Sequence, residues 1–123
     1  MGRKGSVEGP FECELKSLLV DLGITPNYKG YGYIICAIQI ISEKPESLQY
    51  VTKELYPVIA RAYGTDWKVV EHGIRLAVSR SWEKKPQQYR DSLGLNQRPS
   101  AGKFLAYIYI HLCLLEEREK DES

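Results

Sequence analysis

The 123-residue chain has few of the residues that metal, disulfide and phosphate chemistry require. Its three cysteines, Cys13, Cys36 and Cys113, are odd in number and form no CxxC pair, which argues against a disulfide framework and a structural zinc site. They are expected as buried thiols in a reducing cytoplasm. The two histidines, His72 and His111, are too few and too isolated for a metal site. No Ser/His/Asp or Cys/His arrangement stands out, so an enzyme is not expected and no cofactor is implied. Lys29-Gly30-Tyr31-Gly32-Tyr33 lacks the spacing of a phosphate loop, and its tyrosines are expected to pack the start of a helix. Long apolar runs are missing too. Phe104 to Leu115 spans 12 residues and includes His111, whereas about 20 apolar residues cross a bilayer. Met1 to Pro10 is polar and Gly-rich, shows no secretory signal, and is expected to be a flexible arm.

What is present is an ordinary globular composition, 43% apolar and 27% charged, sufficient for one domain with its own core. The net charge of +1 conceals an uneven distribution. Residues 52–90 carry 8 basic and 4 acidic groups, while residues 116–123 carry 2 basic and 5 acidic. A local positive excess of this kind suits a phosphate-facing surface.

Apolar spacing predicts a largely helical chain. Leu15, Leu18, Leu19 and Leu22 mark a helix over 11–22 that stops at Gly23. Tyr33, Ile34, Ala37, Ile38 and Ile41 give a central core helix over 29–43. A short helix is expected over 46–55, with Pro57 at a kink or at the first position of the next helix. Another short helix is expected over 87–93. The last begins near Ser100, a plausible N-cap, and continues to about Glu117. Its Tyr107-Ile108-Tyr109-Ile110 run would also suit a strand. Apolar residues on nearly every side of this segment imply full burial or a subunit interface. The expected organisation is an arm at 1–10, a helical domain at 11–117 and a charged tail at 118–123.

Residues 56–82 carry the functional signal. Tyr56 to Tyr63, a turn at Gly64, and a second helix over 66–82 have the order of a helix-turn-helix. Such a motif needs a small residue where its helices cross, a turn residue tolerant of positive φ, and an aliphatic in the second helix. Counting Tyr56 as the first position, Ala60, Gly64 and Val70 meet those needs at the fifth, ninth and fifteenth. Thr65 or Asp66 can cap the second helix. At 100° per residue, Trp67, Val70, Ile74, Ala77, Val78 and Trp82 fall inward. Lys68, His72, Arg75 and Ser79 fall outward, with Glu71 at the margin. These five are the candidate base readers; Arg61, Arg80, Lys84 and Lys85 are the candidate phosphate contacts. A plain solvated face would instead offer only a Glu71–Arg75 pair at i,i+4. Gly73 in mid-helix predicts the close approach of another backbone.

These residues resemble the C-terminal effector domain of the master response regulator of sporulation, stage 0 sporulation protein A. The resemblance rests on Gly23-Ile24, Lys29-Gly30-Tyr31-Gly32-Tyr33 and Leu55-Tyr56-Pro57-Val58-Ile59-Ala60. Val70-Glu71-His72-Gly73-Ile74-Arg75-Leu76-Ala77, Trp82, Arg98-Pro99 and Phe104 follow in the same order. It implies an all-α domain of about six helices around a helix-turn-helix, with double-stranded DNA as its partner. It further implies contact with the RNA polymerase sigma subunit and a homodimer on tandem sites. The positions of Glu71, His72 and Arg75 contact bases in that family. Two departures stand out: His72 and Val69 each occupy a place where the family has arginine. The family's receiver domain is absent from these 123 residues, as in an excised domain or a standalone relative. The rival expectation is a protein-interaction module of the same fold that has lost specific DNA binding and antagonises or scaffolds a regulator.

Overall fold

The computed structural model describes residues 11–122; the expected arm at 1–10 lies outside the described residues. Among the described residues six α-helices follow one another: α1 (Glu12–Leu22), α2 (Lys29–Glu43), α3 (Tyr56–Tyr63), α4 (Trp67–Lys84), α5 (Pro86–Leu93) and α6 (Ala101–Glu122). There is no strand among the described residues, so the fold is all-α.

Helix α2 forms the centre. It touches α1, α3, α4 and α6, and its Tyr33, Ile34, Ala37, Ile38 and Ile41 are buried as their spacing predicts. The leucine stripe of α1 is likewise buried, and Gly23 ends that helix in the left-handed region at φ 90°. The next residue, Ile24, donates its N–H to the Leu19 carbonyl and buries its side chain completely. Such a closure satisfies orphan carbonyls while adding an aliphatic to the core.

Residues 45–55 depart from the expected short α-helix. Pro45–Tyr50 forms a 3₁₀ turn and Val51–Leu55 a wide π turn. Pro57 supplies the reason: it offers no N–H, and its ring would collide with the Lys53 carbonyl in an α register. In the wider turn, the Tyr56 N–H bonds the Val51 carbonyl five residues back. Pro57 itself lies in the first turn of α3, where a missing donor costs nothing.

The last segment is one continuous helix rather than a strand, and it reaches Glu122. Ser100 caps it, accepting the Lys103 N–H at 3.2 Å. Ala101, Phe104, Leu105, Ile108 and Leu112 face the core. Full burial does not hold, because Tyr107, Ile110 and Leu114 remain 37%, 53% and 60% exposed. The cysteines also correct their expectation: Cys13 is exposed, and Cys36 and Cys113 are half-buried. Cys13 stands off its helix's apolar stripe, about 160° from Leu15, while Cys36 packs only partly against the core. None of the described helices is long and apolar enough to cross a membrane.

Candidate nucleic-acid interface

The turn between α3 and α4 is built from backbone bonds that only its sequence permits. Gly64 adopts φ 65° and ψ 38°, where a Cβ would be strained. The Thr65 N–H reaches the Ala60 carbonyl at 2.9 Å and the Gly64 N–H reaches that of Arg61 at 3.3 Å. Together these form the paired closure that glycine allows at a helix end. The Asp66 carboxylate then accepts the Lys68 N–H at 2.8 Å, so Asp66, not Thr65, caps α4.

Packing fixes how far α4 can roll about its axis. Val70, Ile74, Ala77 and Val78 are at most 2% exposed, and Trp67 and Trp82 are partly buried against the same core. The Ser81 hydroxyl donates to the Val78 carbonyl and shares a 2.5 Å hydrogen bond with the Tyr89 hydroxyl. Burial pushes the Tyr89 phenol up to about 12. At the crossing with α2, Gly73 sits against Gly30. A Cβ on Gly30 would collide with the Gly73 carbonyl, and one on Gly73 would meet the Tyr33 ring at 2.9 Å. The backbone approach expected at Gly73 is therefore present.

The roll set by that packing turns one polar face outward. Arg75 Nη1 donates to both Glu71 carboxylate oxygens, at 3.1 and 3.0 Å. Its Nη2 lies 3.2 Å from His72 Nδ1. A guanidinium has no acceptor, so in this hydrogen bond Nδ1 accepts, which leaves Nε2 as the ring's N–H donor. The i,i+4 pair anticipated for a solvated face thus forms, extended by His72. Tyr56 lies beneath: burial, then the Glu71 carboxylate, push its phenol up to about 12 despite the opposing Arg75 charge. Lys68 is exposed one turn earlier, with Nζ 5.9 Å from the Trp67 ring centroid.

Ser79 receives a residue that helical spacing gave no reason to place there. Arg98, from the loop before α6, donates to the Ser79 hydroxyl at 3.0 Å. The result is a cleft of about 480 Å³ bordered by His72, Arg75, Leu76, Ser79, Arg98 and Pro99. The structure thus gathers Glu71, His72, Arg75 and Ser79 on one face with Lys68 and adds Arg98. The sequence signal for Arg98 was its place in the Arg98-Pro99 motif, which says nothing about its contact with α4.

The candidate phosphate contacts are dispersed. Arg61 is exposed in the last turn of α3, and Arg80 is exposed on the flank of α4. Lys84 and Lys85 close the far end of α4, about 24 Å along the axis from Lys68. The Lys85 stem runs beside Gly23 at the end of α1, where its charge complements the helix dipole.

Residues 15–112 match the family model of the sporulation initiation factor Spo0A C-terminal domain. The chain belongs to that family, whose domain is a DNA-binding effector domain of a response regulator acting in sporulation and transcription regulation.

Proposed function

We propose that this member of the Spo0A C-terminal family reads specific sites on double-stranded DNA by laying α4 in the major groove. The observation that carries the reading is the outward Glu71–Arg75–His72 cluster on the second helix of a formed helix-turn-helix. Major-groove readout demands side chains whose donors are held in a plane before the base arrives. Glu71 does that for Arg75, leaving the remaining N–H groups of the guanidinium for guanine O6 and N7. His72 offers its Nε2 donor to a base or phosphate acceptor, and Lys68 and Ser79 extend the contact at either end. Arg61, Arg80, Lys84 and Lys85 serve as phosphate contacts; being dispersed, they suit a backbone that curves past the domain.

On this reading the protein works as a transcription regulator in the bacterial cytoplasm, where the DNA is, without a cofactor and without catalysis. Arg75→Ala is expected to weaken a selected duplex by about 1–3 kcal/mol and to flatten discrimination among promoter fragments. Equal affinity of the unaltered protein for every fragment would overturn the reading.

A second reading has its own observation. By the family resemblance Val69 and His72 stand where arginines are expected, and the outer side of α6 exposes Tyr107, Ile110 and Leu114. Those features favour a protein-interaction module that antagonises or scaffolds a regulator. The same stripe would serve a sigma subunit or a second copy on tandem sites. A mobility-shift series at low salt separates the readings, since an interaction module gives no salt-dependent shift.

A further inference from the structure

Two aliphatic side chains stand in solvent on the helix that carries the polar cluster. Val69 is 43% and Leu76 37% exposed, although the inward aliphatics of α4 are almost completely buried. They lie on one flank, with His72 between them at helical spacing. That flank borders a shallow cleft of about 280 Å³, closed on its other side by the start of α2 and edged by Lys29 and Arg80. An apolar strip is therefore set between the Arg75 cluster and two exposed cations.

We infer that Val69 and Leu76 contact the C5-methyl groups of thymines. This rests on the major-groove reading of α4. Continuity with the Glu71–Arg75–His72 cluster identifies the occupant: a duplex seated on that cluster must lie over the adjoining flank. The thymine methyl is the apolar group that an unmodified duplex presents in the major groove. Lys29 and Arg80, beyond the strip, are placed to meet phosphates at the groove's edge. Val69 and Leu76 are seven positions apart, an axial distance of about 10 Å. For a helix lying along the groove, that equals about three base steps.

The test uses duplexes selected by the whole protein from a random pool, with each thymine exchanged in turn for deoxyuridine. The exchange removes one methyl and leaves the hydrogen-bonding edge unchanged. Binding should weaken about fourfold at each of two positions about three steps apart. Val69→Ala should abolish the effect at one position and Leu76→Ala at the other. Both side chains are exposed, so the variants should keep the helical circular dichroism of the parent. Val69→Arg should lose the methyl effect at its position and steepen the salt dependence by about one counterion. Selective binding indifferent to deoxyuridine overturns the methyl reading alone, as does a methyl effect that survives in both alanine variants. Failure to select any duplex overturns the major-groove reading beneath it.

Discussion

Along α4, Val70, Ile74, Ala77, Val78 and Ser81 are at most 2% exposed, while Lys68, Val69, His72, Arg75 and Arg80 lie in solvent. The two faces share a backbone and differ in what holds them. Inward residues are fixed by neighbours on α2 and α3 and by Tyr89, so their identities are dictated by space. Outward residues bond mainly to one another and to Arg98, so their identities are free to follow a partner. The inward face thus determines where the outward face points, and changes to the two should separate stability from affinity.

The inward face should break hardest. Ile74→Ala removes a fully buried side chain and is expected to cost about 2–5 kcal/mol. Thermal unfolding should show a fall in Tm of about 4 °C for each kcal/mol, and DNA binding should return once the protein is kept below that Tm. Alkali attacks the same face. Tyr56 and Tyr89 are pushed from 10 to about 12, so the folded state holds their phenols neutral. Their contribution is complete below pH 10 and is lost as pH rises toward 12, by about 2–3 kcal/mol each. Urea unfolding at pH 9, 10.5 and 12 should trace that loss, and Tyr89→Phe should make it shallower. Gly30→Ala should come next at about 1–3 kcal/mol, because its Cβ would meet the backbone of Gly73 rather than a movable side chain. A Tm equal to the parent's would show that α2 and α4 can separate without penalty.

The sequence reveals these two faces to different depths, for a physical reason. Burial imposes a period, so the core positions of α1, α2 and α4 could be read from spacing alone. The turn was readable because positive φ between the two helices selects glycine, and Gly64 is there. Irregular backbone has no such period: the widened turn before Pro57 comes from a ring clash whose relief could have taken several forms. The half-exposed cysteines show the limit of composition, since residue type suggests burial but position on the helix decides it. On the outward face, periodicity grouped Lys68, His72, Arg75 and Ser79 with Glu71 and anticipated the Glu71–Arg75 pair, yet it did not supply the His72 contact that extends it.

Arg98 marks where sequence reading stopped. It lies 19 residues beyond Ser79, and no periodicity links a loop to a helix face. Its next two neighbours in the chain set its position: Pro99 is buried, and Ser100 caps α6 with its side chain. With those two anchored, the guanidinium is held over Ser79 at the edge of the cleft. Its hydrogen bond is exposed, so Arg98→Ala should alter stability by no more than about 0.5 kcal/mol. Its charge should matter only when phosphate is near. The salt dependence of binding should become shallower by about 0.9 for one lost phosphate contact, equally on selected and random duplexes. A uniform loss would define Arg98 as a backbone clamp beside the readers; a loss confined to selected duplexes would place it among the base contacts. An unchanged salt slope would confine it to orienting Ser79, leaving the outward face to α4 alone.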